Sequence, residues 1–298
     1  MGDRDEDRSQ SHGKPFFAAG GRSLIPRDCC SSAPVVRRGR TNLMWDNTRL
    51  VVFAAICASL YAAILIPFKV LPIIPGVTEL RPANAVPVIC SFLFGPAAAW
   101  GAAIGNVIGD FFGGIGPGDL FGCVGNFLYG LAPYKIWELI SADQPVPKTP
   151  LAWVRFTFTI FVASGLCALF IGWGLNLLGF IPFSVLGNII LFNNFVSSML
   201  FAPLLLAAIY PRVARGRLLY HNLLAPKPAK PRPVRVLGLV LLTGATTGGL
   251  IAGNLLASGR WTPSLIVTLG WETQTKAAEV GFGLAPFVGL ACLGLALL

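Results

Sequence analysis

Charge is what this sequence has least of. Between Phe156 and Pro211 there is not one Asp, Glu, Lys or Arg, and charged residues make up only 12% of the chain, against roughly 25% in soluble domains. A bilayer core of about 30 Å is crossed by roughly 20 apolar residues in a helix. That stretch therefore holds two spans joined by a short turn, and a soluble globular fold is excluded. Histidine is nearly absent: His12 and His221 are the only two, both outside the apolar segments. No HExxH, no GxSxG and no close pair of carboxylates on one helix is present, so hydrolytic and metal-assisted chemistry lack their residues. No Walker A loop is present either, so the chain hydrolyses no nucleotide by itself. The seven cysteines form no CxxC and no metal spacing. Cys57, Cys90, Cys123, Cys167 and Cys292 lie in apolar segments, where a thiol is a small filler. Cys29-Cys30 lies in a basic stretch expected to be cytoplasmic and reducing. The first apolar run begins only at Leu50, so residues 1–45 carry no secretory core segment.

What is present is a series of uncharged stretches: Leu50–Pro67, Pro82–Gly109, Leu120–Tyr134, Phe156–Pro211, Val236–Gly259 and Val280–Leu298. Phe94-Gly95-Pro96 breaks the second and Gly179–Ser184 the fourth, which gives eight spans and an all-α, polytopic membrane helix bundle. The net charge of +10 follows the topology of such a bundle rather than a nucleic-acid surface. Arg22–Arg49, Lys135–Arg155 and Arg212–Arg235 carry sixteen basic residues, and the loops of the other side carry only Lys69, Arg81, Arg260 and Lys276. The positive-inside rule places both termini in the cytoplasm of a plasma-membrane protein. Residues 1–45 read as a disordered cytoplasmic tail and 46–217 as a six-helix membrane core. The alternating Pro/basic segment within 218–235 reads as a cytoplasmic linker, and 236–298 as two additional spans.

The polar residues inside the spans are few and specific. Gly101, Gly105, Gly109 and Gly113, spaced by four, line one stripe of the third span and let another helix approach closely. Asn106 and Asp110 lie one turn apart on a neighbouring line of the same helix. Asn126 and the pair Asn193-Asn194 lie in later spans, and Glu79, Arg81 and Asn84 flank the start of the second. Amides and carboxylates at membrane depth must face inward and find partners. Helix-to-helix hydrogen bonds are one reading, but such bonds average only about 0.6 kcal/mol; a site for a polar solute is the other. Phe111, Phe112, Phe121 and Phe127 stand nearby and would suit a flat heteroaromatic solute. Packing or lipid contact accounts for them as well. Ala54, Ala58 and Ala62 form a small-residue stripe on the first span, which has little polar to bury and so suits contact with another subunit.

Leu80-Arg-Pro-Ala-Asn-Ala-Val-Pro87, Leu93-Phe-Gly-Pro96 and Gly105-Asn-Val-Ile-Gly-Asp110, in this order on these spans, resemble the substrate-binding (S) subunits of energy-coupling-factor (ECF) vitamin importers over about Leu50 to Arg217. The resemblance implies an S subunit that captures a small vitamin-like solute at its outer face and releases it inside by toppling. It also implies a membrane coupling subunit with two ATPases, and no cofactor. Carried onto this chain, the solute would meet Glu79, Arg81, Asn84, Asn106, Asp110, Asn126 and Asn193 or Asn194, and the coupling subunit Ala54, Ala58 and Ala62. The chain departs from the six-helix pattern by its two extra spans and its polar tail. An integral membrane enzyme and a membrane assembly protein are the rival classes. Convergence of the polar residues on one cavity would separate them from a carrier.

Overall fold

The chain was analysed as a computed structural model that describes residues 44–68, 72–74, 78–79, 81–141, 143–224, 230–260 and 276–298. The expected tail therefore lies outside the described residues, apart from its last two positions. The helices are α1 (Thr48–Phe68), α2 (Ala85–Phe94), α3 (Pro96–Phe111), α4 (Asp119–Ile140), α5 (Pro150–Leu177), α6 (Phe183–Arg215), a one-turn α7 (Tyr220–Leu223), α8 (Arg232–Ala257) and α9 (Lys276–Leu297). Between α1 and α2 two short strands, β1 (Pro72–Ile74) and β2 (Thr78–Glu79), pair antiparallel. Among the described residues every other regular element is helical, as the uncharged stretches require, and α1, α5, α6, α8 and α9 are each long and apolar enough to cross a membrane.

The break at 94–96 has a local cause. Gly95 adopts φ +55°, the left-handed region that a residue with a Cβ rarely enters, and Pro96 follows at the first helical position of α3, where its missing N–H costs nothing. The chain thus reverses within one residue. A side chain at Gly95 would also meet the Tyr220 ring at 2.8 Å.

The α1–α3 contact rests on the glycine stripe. A Cβ on Gly101 would lie 2.4 Å from the Cys57 Cβ and 2.9 Å from the Ala54 carbonyl oxygen, and one on Gly105 would lie 2.8 Å from the Ala58 carbonyl oxygen. Lipid gives helices no hydrophobic reason to associate, so backbone contact of this closeness supplies dispersion that bulkier residues would block. The order of the contacts, from Gly101 against Ala54 to Gly109 against Leu65, makes α1 and α3 parallel. This geometry corrects one expectation. Ala54, Ala58 and Ala62 are buried inside the chain, the first two against the α3 glycines, and do not form an outward stripe. The small residues that α1 does expose are one position on: Ala55, Ser59 and Ala63.

Helix α2 is short. Its ten residues rise about 15 Å, half of what a membrane core requires. The 3-10 turn Pro82–Asn84 adds one narrow turn. The chain therefore enters α2 below the ends of its neighbours, which brings Arg81 and Asn84 into the bundle.

Helices α8 and α9 form a hairpin closed by Gly238 and Gly294, where a Cβ on Gly294 would stand 2.5 Å from the Leu242 nitrogen. The hairpin packs on α5 and α6 (Gly249 on Leu169, Gly253 on Phe183, Gly281 on Leu177). At the end holding Met44 and Leu298, Lys135 Nζ donates to the Leu295 carbonyl at 3.0 Å. The glycine contacts give a direct check. Gly105→Ala should destabilise the protein by about 1–3 kcal/mol, because backbone must move to admit the methyl group. Gly244→Ala, with nothing within 4 Å of the new atom, should be neutral or gain up to about 1 kcal/mol. Thermal unfolding in detergent compares the two. Equal midpoints would show that the α1–α3 contact is not close.

Candidate functional site

Because α2 starts low, a cavity of about 290 Å³ opens at the bundle end opposite Met44 and Leu298. Arg81, Asn84, Asn106, Asp110, Asn126, Asn193 and Asn194 all line it. Of the eight polar residues expected at a solute site, Glu79 is placed in β2 and its side chain is outside the description.

The amides are joined rather than scattered. Asn126 Nδ2 donates to Asn106 Oδ1 at 3.0 Å, and Asn106 Nδ2 donates to Asp110 Oδ2 at 2.6 Å. The Tyr61 hydroxyl lies 3.1 Å from Asn126 Oδ1 and 3.2 Å from Asn84 Oδ1, so one proton serves two acceptors. Asn84 Nδ2 in turn donates to Asn194 Oδ1 at 2.6 Å. The Arg81 backbone N–H donates to Asn193 Oδ1 at 3.2 Å. Below this layer Tyr129 and Ser198 share a 2.7 Å hydrogen bond, and Ser198 Oγ donates to the Asn84 carbonyl.

The chain of donors has a direction. Tyr61, Asn126 and Asn106 each hand a proton donor onward, and the line ends on the Asp110 carboxylate. Such a chain polarises itself, and its last member is charge-assisted. Each amide is locked in one orientation by its neighbours, so the wall is preorganised before any solute arrives. The opposite wall is apolar: Ile171 and Leu175 of α5, Phe180 and Ile181 of the α5–α6 turn, and Leu186 and Ile190 of α6. A polar face opposite an apolar face suits a small, flat molecule with several hydrogen-bonding edges.

Three contributors escaped the sequence reading. Tyr61 joins the two halves of the network, and its signal was a phenol in an otherwise apolar span, whose hydroxyl must find a partner. Asp119 lines the rim and accepts from the Gly116 N–H at 2.8 Å. Cys167 reaches the cavity from α5. The four phenylalanines considered for a flat solute do not line it. Phe111 and Phe112 are exposed, Phe121 packs on Phe170 and Trp173, and Phe127 packs on Trp100.

At the other end, Tyr134, Glu138, Tyr220 and His221 border a smaller cavity of about 150 Å³. Its groups are spent on one another: the Tyr220 hydroxyl donates to Glu138 Oε1 at 2.8 Å, and Arg235 lies 3.9 Å from Glu138 Oε2. Burial holds the His221 imidazole below its ordinary value, against the pull of Glu138. Among the described residues no group of His, Cys, Asp or Glu could hold a metal ion.

A family model described as QueT transporter matches residues 51–211. The match runs from α1 into α6, takes in every described residue of the amide network, and ends before α8. No curated protein and no solved structure matches the chain.

Tyr61→Phe tests the network by itself. It removes one hydroxyl, leaves the ring in place, and strands two buried amide oxygens, each at a cost of about 1–3 kcal/mol. Amide hydrogen exchange and thermal unfolding of the purified protein should show a looser cavity end of α3 and α4 and a lower midpoint. An unchanged midpoint would mean that water replaces the hydroxyl.

Proposed function

The chain belongs to the QueT transporter family, and on that premise we propose that its amide-walled cavity captures a queuosine precursor outside the cell for delivery by a coupling subunit and two ATPases. The family is one of ECF-type S components for queuosine precursor uptake. The chain is accordingly a multi-pass membrane transport protein with a small-molecule substrate, and not an enzyme.

The observation that carries the proposal is convergence. Seven polar residues from the α2 entrance, α3, α4 and α6 line one cavity, where helix-to-helix bonding alone would scatter them along the bundle. Asp110 supplies a charge-assisted acceptor at the end of the donor chain, and Asn193 and Asn194 extend the polar wall from α6. Among the described residues the basic side chains concentrate at the opposite end, so the positive-inside rule turns the cavity outward and that end inward. Energy must then come from elsewhere, since the sequence has no nucleotide-binding loop.

For the coupling subunit we assign the face of α1 that the chain leaves open, Ala55, Ser59 and Ala63 flanked by Val52, Ile56 and Leu60, all exposed. Small residues at this spacing admit a partner helix to close contact. Ser59→Trp should abolish uptake by whole cells while leaving equilibrium binding of the precursor intact, because Ser59 is exposed on the face of α1 turned away from Tyr61, the α1 residue that reaches the cavity. Loss of both together would mean that this face supports the fold and not a partner.

Asp110→Asn should weaken precursor binding to the purified protein about tenfold or more, since it removes the charge from a hydrogen bond worth about 1.5–3 kcal/mol. The folded midpoint should move little, as Asn106 keeps an acceptor. Normal affinity with a midpoint several degrees lower would make Asp110 a structural cap and move the solute elsewhere.

A further inference from the structure

We propose that the α8–α9 hairpin, which lies beyond the family match, positions one wall of the cavity by fixing the α5–α6 turn through Trp173 and Asn176. The inference rests on reading that cavity as the solute site. Its observations come from a different part of the molecule.

The turn, 178–182, carries Phe180 and Ile181, both in the cavity wall. Its five residues span the gap between two long helices; Leu178, Gly179 and Phe180 N–H groups close the end of α5 on the Gly174, Asn176 and Leu175 carbonyls, and side-chain bonds to the hairpin fix where that end sits. Asn176, buried at 3% exposure, uses both ends of its amide. Its Oδ1 accepts from the Phe183 N–H at 3.1 Å, across the turn, and its Nδ2 donates to the Ala277 carbonyl of α9 at 2.7 Å. One α9 turn further on, Trp173 Nε1 donates to the Gly281 carbonyl at 2.8 Å.

On the far side of the turn, Phe183 is fully buried in a notch of three glycines. Added Cβ atoms on Gly172, Gly187 and Gly253 would stand 3.1, 3.2 and 2.2 Å from its ring. Gly253 belongs to α8, so the hairpin completes this notch as well. Asn188 and Asn254 then exchange amide hydrogen bonds at 2.7 and 3.2 Å between α6 and α8. The hairpin grips the turn from both flanks.

The acceptors on α9 are backbone carbonyls. What the turn reads is therefore the position of α9, not its side chains, and an indole or amide donor in a membrane bundle cannot exchange such a partner for water at low cost. Displacement of the hairpin would free the turn, and with it the apolar wall facing the amide network. Trp173 and Asn176 are positioning residues in this account: neither touches the cavity.

The test uses full-length protein carrying Ile181→Cys, with Leu120→Cys, on α4 and outside the turn, as an exposed reference site. The rate of modification by a membrane-impermeant maleimide is read after subtracting that of the parent. Trp173→Phe keeps an aromatic ring beside Phe121 and Phe170 and removes the N–H together with the second ring of the indole. It should speed labelling at 181 several-fold, leave labelling at 120 unchanged, and weaken binding of a radiolabelled queuosine precursor by about tenfold. Asn254→Leu, which cuts the second flank, should do the same and serves if Trp173→Phe does not accumulate. Unchanged labelling at 181, or equal acceleration at both sites, would overturn the proposal. If the parent binds no precursor while labelling at 181 still responds, the positioning role stands and the cargo assignment fails.

Discussion

An amide placed in hydrocarbon has no water to fall back on, and the interior of this bundle is arranged to satisfy that demand. Asn84, Asn106, Asn126 and Asn194 are all buried, and each finds a side-chain partner among the others or on Tyr61 and Asp110. An unmade hydrogen bond here costs about 1–3 kcal/mol, more than the net value of a made one. The network is therefore held together chiefly by the penalty of breaking it. That penalty fixes the orientation of each amide, and fixed orientation is what a binding wall needs.

Two backbone features give the network its place. The glycine stripe of α3 brings α1 close enough for Tyr61 to reach Asn126 on α4. The shortness of α2 lowers Asn84 and Arg81 to the same level and leaves an empty volume above them. Neither feature contributes a polar atom to the site, yet lengthening α2 by two turns would fill the cavity with helix.

The spans were legible because charge and hydropathy act over whole helices: an uncharged stretch from Phe156 to Pro211 could only be two crossings, and Gly95-Pro96 could only be a break. The amides were legible for the same reason, since few residues are so costly in lipid. The pairing of faces was not. Ala54, Ala58 and Ala62 and their neighbours Ala55, Ser59 and Ala63 make equally good small-residue lines, and only the position of α3 decides which is buried. Tyr61 was hidden because one phenol among aliphatic residues reads as packing until its two acceptors are in view. The phenylalanines near the rim stayed open between solute and packing because aromatic content says nothing of direction. The grip of α8 and α9 on the α5–α6 turn depends on backbone carbonyls, which no sequence pattern marks.

The account stands on the cavity being a solute site, with the amide network as its wall. Its most direct test is to identify what the purified full-length protein carries, by mass spectrometry of small molecules released on denaturation. The account predicts a queuosine precursor, at a ratio approaching one per chain when the protein is produced in cells supplied with it, and its loss from the Asp110→Asn variant. A protein that releases no such molecule after exposure to saturating precursor, or one that retains it equally with Asp110→Asn and Asn106→Leu combined, would contradict it.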